Sequence, residues 1–186
     1  MNKIILILSS IMLCLIIGQY VYAQGKRVPQ TAVKRFGEVD TNLYRGAQPD
    51  EEGFKTLRDR GITTIINLRV EEDLVARERQ VVESLGMHYI HIPWTIFGPY
   101  NQEVFDRFFE AIAEKDTAPV FFHCKRGSER TGVIAAAYNI TYRGWSLKEA
   151  VKDAEAHDVK FIWKPFVRSK IKTFYKTYLK QTQQPY

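Results

Sequence analysis

The stretch HCKRGSERTG, His123 to Gly132, decides how the rest of the chain is read. Before it runs APVFFHC, whose near-continuous apolar character predicts a strand in the middle of a sheet. After it runs RTGVIAAAYNITYRG, rich in small residues, which predicts a closely packed helix starting near Arg130. Cys124 therefore stands at the carboxyl end of a strand, ahead of a turn and a helix N-terminus. Backbone N–H groups in such a turn point into one hollow and favour an anion. Gly127 lets the chain turn tightly. Arg130 offers a planar fork suited to two oxygens of a phosphate. The same positive field favours the Cys124 thiolate, and the Thr131 hydroxyl can donate to it. A nucleophile on the floor of an anion cradle fits covalent phosphoryl transfer. The plainer alternative is a buried cysteine followed by an ordinary basic loop.

Outward from this stretch, apolar runs alternate with amphipathic ones. NLYRGAQ reads as a short strand, ITTIINLR as a buried strand and MHYIHIPW as a third. PDEEGFKTLRDRG reads as a helix with Asp50 at its start and Gly61 at its stop. EEDLVARERQVVESLG has acids first and Gly86 last, and NQEVFDRFFEAIAEKD puts Val104, Phe105, Phe108, Phe109 and Ile112 on one face. Two further helices follow, from about Ser146 and about Lys164, the second rich in lysine and aromatics. This order predicts a single α/β domain with a mostly parallel central sheet of four to five strands flanked by helices. In such sheets ligands bind beyond the carboxyl ends of the strands, where Cys124 falls.

The chain has 186 residues, with 45% apolar and 26% charged, which excludes a disordered or fibrous protein. Its formal charge of +6 favours anionic partners without naming them, and no Lys/Arg run suggests nucleic acid. The start differs from the rest. MNK, then IILILSSIMLCLIIG, then Val21 and Ala23 before Gln24 give the layout of a signal peptide over residues 1–23. The alternative is an uncleaved N-terminal anchor, which alone would bring membrane contact. Leu13 before Cys14 argues against a lipid-modified cysteine. Residues 24–35 read as a linker and 36–182 as the folded domain. The expected location is secreted or periplasmic. Loss of the leader leaves Cys124 as the one thiol, which makes no internal disulfide.

HCKRGSERTG matches the Cys-x5-Arg-Thr/Ser-Gly signature and resembles the protein tyrosine and dual-specificity phosphatases. NLYRGAQPDEEGFKTLRDRGITTIINLR, MHYIHIPW and RGWSLKEAV resemble bacterial dual-specificity-like phosphatases. HCKRG is similar to the atypical plant and fungal group, some of whose members act on inositol pyrophosphates. The resemblance runs from about Glu38 to the last helix. It implies the cysteine-dependent phosphatase fold and hydrolysis of phosphate monoesters through a phosphocysteine. It implies Cys124 as nucleophile, Arg130 as phosphate clamp, and Lys125, Arg126, Gly127, Ser128 and Glu129 as the N–H cradle. It implies no metal and no cofactor. The partner is a phosphorylated protein or a small phosphorylated metabolite; a phosphate-binding protein without turnover is the other class.

The resemblance also implies an aspartate after MHYIHIPW that protonates the leaving oxygen. HIPWTIFGPYNQEVFDRF has no Asp before Asp106, and Asn101 stands where related bacterial sequences often carry one. Glu103 is the first substitute, Asp106 the second and Glu129 the third. Glu103 is better suited to a helix first turn capped by Asn101 than to acid catalysis. Arg69, at the end of IINLR, either touches substrate or pairs with Glu71 or Glu72. Lys125 and Arg126 either attract a polyanion or remain solvated. His123 is expected to stay on the strand side and brace the loop. His88 and His91 should face opposite sides of a strand, against a shared metal. Trp94, Phe97 and Tyr100 either wall the cleft or pack. The FIWKPFVRSKIKTFYKTYLK end reads as a docking helix with its lysines in water, with a membrane-surface role as the alternative.

Overall fold

The computed structural model describes residues 33–116 and 118–182. The expected signal segment and most of the linker lie outside the described residues. The packed part begins ahead of Phe36. Val33 is buried against Phe121 and the Gly46 backbone region, and Lys34 O accepts from Ala47 N at 2.8 Å.

Five strands form one sheet: β1 (Gly37–Asp40), β2 (Leu43–Ala47), β3 (Thr64–Asn67), β4 (His88–His91) and β5 (Val120–Cys124). Their spatial order is β1-β2-β5-β3-β4, with only β1–β2 antiparallel. β5 is therefore central, as its apolar run predicts. The first strand was not expected, because GEVD carries too few apolar residues to signal one. It is made by a tight hairpin in which Asn42 takes φ +59, a conformation asparagine tolerates.

The helices are α1 (Glu51–Asp59), α2 (Glu72–Ser84), α3 (Gln102–Ala111), α4 (Glu129–Arg143), α5 (Leu147–Ala156) and α6 (Lys164–Thr182), with a 3-10 turn at Phe161–Trp163. Asp50 caps α1 by accepting from Gly53 N at 2.8 Å, and Asn101 caps α3 by accepting from Glu103 N at 3.0 Å. Ser146 and Glu149 form a reciprocal capping box on α5. No helix among the described residues is long and apolar enough to cross a membrane.

Alternation along β5 divides the core. Val120, Phe122 and Cys124 face Phe105, Phe108, Val133 and Ile171 of α3, α4 and α6. Phe121 faces Phe54, Leu57 and Val82 of α1 and α2. Buried on both faces, β5 holds its carboxyl end rigidly. The β3–β5 register pairs Asn67 with His123, so the segment leaving β3 runs beside the loop leaving β5.

Candidate active site

Cys124 ends β5 and its side chain is buried. The Gly127 N–H donates to Cys124 Sγ at 3.3 Å. Gly127 has φ +73, and a Cβ there would lie 2.4 Å from Ala47 N and from Gly46 C. Both conformation and space therefore require glycine at this point of the loop. The loop is tied down from outside: Arg35 Nη1 donates to Arg126 O at 2.9 Å, and Gln48 N to Lys125 O at 3.4 Å. Gly132 N reaches Ser128 O at 2.6 Å, closing the first turn of α4 behind it.

Burial pushes the Cys124 thiol up. The Thr131 hydroxyl, the Thr131 N–H, the Arg130 charge and the Gly127 N–H outweigh it, so the thiol lies below the usual cysteine range. The buried Thr131 hydroxyl has no hydrogen-bond partner elsewhere among the described residues, so nothing competes with the Cys124 sulfur for it. Arg130 Nη1 donates to Leu68 O at 3.1 Å and Trp94 O at 3.3 Å. Carbonyls beyond β3 and β4 thus aim the guanidinium while its other N–H groups stay available for an anion.

Above the sulfur opens a cavity of about 500 Å³, lined on one side by Cys124, Lys125, Arg126, Glu129 and Arg130. Val70, Ile96, Phe97 and Trp163 supply an apolar wall, and Glu71 and Thr95 complete the rim. Glu71 Oε2 lies 3.4 Å from Arg69 Nε. Burial raises the Glu71 carboxyl, but its own N–H, Arg69 and Arg130 outweigh this and hold it below the usual range.

A buried polar network backs the site on the opposite face of the sheet. Glu78 accepts from Asn67 Nδ2 at 2.7 Å, Tyr89 OH at 3.0 Å and Gln48 Nε2 at 2.7 Å, and lies 3.0 Å from His123 Nε2. Burial raises this carboxyl, but the His123, Gln48 and Tyr89 contacts hold it low.

Residues 22–164 match the family described as DSP-PTPase phosphatase fused to NAD+ kinase. The chain belongs to that family. Among relatives of this DSP-PTPase chain, the dual specificity protein phosphatase TpbA of Pseudomonas aeruginosa is 25% identical over 117 residues, covering 63% of this chain and 51% of TpbA. The chain thus matches about half the length of TpbA. The TpbA structure with phosphotyrosine superposes with TM-score 0.65 at 18% identity, covering 82% of this chain and 93% of that one. The catalytic core of the PP-IP phosphatase SIW14 of S. cerevisiae, in complex with citrate, gives 0.64 at 18%, covering 81% and 91%. These likenesses show that the fold is that of the cysteine-dependent phosphatases.

The DSP-PTPase fold brings together Cys124, Lys125, Arg126, Gly127, Ser128, Glu129, Arg130 and Thr131. It does not bring Glu103 to them. Glu103 is exposed in the first turn of α3 and does not line the cavity; Asp106, one turn on, accepts from Gln102 Nε2 at 2.8 Å. Glu129 does line the cavity, paired with Arg126. Arg69 is buried and does not line the cavity; it faces Glu71 on the rim and donates to the Gln48 amide oxygen, so the expected pairing with Glu71 is present. The His123 ring stacks on Phe121 and faces Glu78, bracing the strand rather than the loop. Phe97 walls the cavity, while Trp94 and Tyr100 pack on Phe105. Sequence reasoning missed Glu71, Val70 and Trp163 as site residues. The EE that opens α2 and the aromatic FIWKPF were the only traces of them.

Proposed function

We propose that this chain is a phosphatase that hydrolyses phosphate monoesters through a phosphocysteine on Cys124. The observation that carries the reading is the sulfur held by the Gly127 N–H, with Thr131 and Arg130 acting on the same atom. Cys124 Sγ attacks phosphorus; the S–P bond forms as the bond to the leaving oxygen breaks. Loop N–H groups and Arg130 stabilise the equatorial oxygens. Glu71, on the rim, is our assignment for the acid that protonates the leaving oxygen. A bound phosphate dianion offsets the Arg130 field and raises the Glu71 carboxyl toward an acid's working range. Water then attacks phosphorus, Glu71 takes its proton, and the S–P bond breaks to release phosphate.

The apolar wall of Val70, Ile96, Phe97 and Trp163 supports an aryl phosphate, of the kind seen in the TpbA structure. Lys125, exposed on the rim, favours a second reading: a polyphosphorylated inositol of the kind named for SIW14. The test is hydrolysis of 4-nitrophenyl phosphate by the wild type and by Cys124→Ser. Turnover that the substitution abolishes is expected. Turnover retained in the variant overturns the cysteine mechanism, and none in either makes the chain a phosphate-binding protein. Export with cleavage after Ala23 is part of the proposal, supported by the apolar run Ile4–Gly18. The intact mass of protein recovered from the producing cell's exterior or periplasm tests it.

A further inference from the structure

The cavity's apolar wall does not stop at its mouth. Phe97 is 58% exposed, Ile162 60% and Phe161 85%, and Phe166 is exposed beside them. The Phe97 ring meets Trp163 at 5.0 Å and Phe166 at 5.3 Å, edge to face, and Trp163 lies 6.1 Å from Phe166. The patch is assembled from two segments distant in sequence, the loop after β4 and the 3-10 turn before α6. Buried Lys170 of α6 clamps them by donating to Gly98 O. Ordering aromatics this way and leaving them in water is a cost that an internal packing role does not explain.

The surround is cationic. Lys160 and Lys125 are exposed and have no acid partner among the described residues. Lys164 follows Trp163 directly and shares Glu155 with Arg168. The acids nearest the mouth, Glu71 and Glu129, already face Arg69 and Arg126. A tip of Phe, Ile and Trp flanked in the chain by Lys160 and Lys164, with Lys125 on the adjoining cavity, has the chemistry of an interfacial anchor: rings at headgroup depth, ammonium groups among lipid phosphates. Phe161 stands exposed on a three-residue turn, a small tip beside the about 800 Å² per partner that a standard protein interface buries.

We propose that the Phe97–Phe161–Ile162–Trp163–Phe166 tip docks on an anionic bilayer and seats the cavity mouth at the headgroup layer. Docking needs neither Cys124 nor Arg130, so it stands or falls apart from the phosphatase reading. It is also separate from the apolar leader, which lies elsewhere in the chain.

The test reads the tip locally. The full chain is mixed with vesicles of phosphatidylcholine alone, or with one third phosphatidylserine, each containing acyl-brominated phosphatidylcholine that quenches tryptophan at the membrane. Quenching by the phosphatidylserine vesicles, several-fold above that by neutral ones, is expected. It should disappear in Trp163→Phe and fall several-fold in Phe161→Ser/Ile162→Ser. Those two side chains are exposed, so the double variant keeps its fold, checked by circular dichroism. Quenching equal in the double variant and wild type would mean that other segments make the lipid contact, and would overturn the proposal. So would absence of quenching, and so would a phosphotyrosine peptide whose binding the double substitution weakens while vesicles have no effect.

Discussion

Thr131→Val tests the electrostatic core of the site with one atom. The Cys124 thiolate is held against burial chiefly by the Thr131 hydroxyl, ahead of the Thr131 N–H, Arg130 and the Gly127 N–H. Valine keeps the shape and removes only the hydroxyl, whose oxygen has no other nitrogen or oxygen partner. A hydrogen bond to a charged group is worth about 1.5–3 kcal/mol. At about 1.36 kcal/mol per factor of ten, the thiolate-to-thiol ratio should fall roughly tenfold to 150-fold at a fixed acidic pH. The assay is alkylation by iodoacetamide across pH, read by mass spectrometry on the Cys124 peptide so that Cys14 does not contribute. The rate limb of the variant should move to higher pH and the two curves should meet once both sulfurs are ionised. The limb of kcat/KM should move with it. Superimposable limbs would refute the reasoning, because the sulfur would then be held by the loop and Arg130 alone.

The other perturbations separate the roles of the remaining groups. Glu71→Gln should slow phenyl phosphate hydrolysis by about 10²- to 10⁴-fold, and 4-nitrophenyl phosphate far less, since the better leaving group needs no proton. Glu103→Gln should leave both rates within about twofold of wild type, and a large loss there would return the acid to α3. Gly127→Ala should abolish turnover, because its Cβ meets backbone at 2.4 Å and the left-handed conformation is strained; phosphate-induced stabilisation in thermal melts should vanish with it. Glu78→Ala strands Asn67, Tyr89, Gln48 and His123, and should cost about 3–5 kcal/mol in urea unfolding. The sign with pH follows from its depressed carboxyl. The stabilisation is full above the unfolded value of about 4.3 and is lost as pH falls through the lower folded value, a loss that melts of Glu78→Gln should not show.

What was legible in the sequence was what is contiguous in it. The central strand, the turn and the helix of the site lie in one run from Val120 to Arg143, so local pattern and loop chemistry sufficed to place Cys124, Arg130 and Thr131. The helix caps at Asp50 and Asn101 and the stops at Gly61 and Gly86 were equally local. What was not legible depends on strand order. Nothing in ITTIINLR says that β3 lies directly beside β5, yet that pairing of Asn67 with His123 carries Leu68 O to Arg130 and Glu71 to the rim. Glu103 follows β4, an edge strand separated from β5 by β3, whereas Glu71 follows β3, the strand paired directly with β5. Trp163 was hidden for the same reason. FIWKPF shows an aromatic run, but only α6 lying across α4, with Lys170 on Gly98, turns that run toward the loop after β4. The loop that holds Cys124 is written in one segment, and the walls and rim of its cavity are set by which segments the sheet makes neighbours.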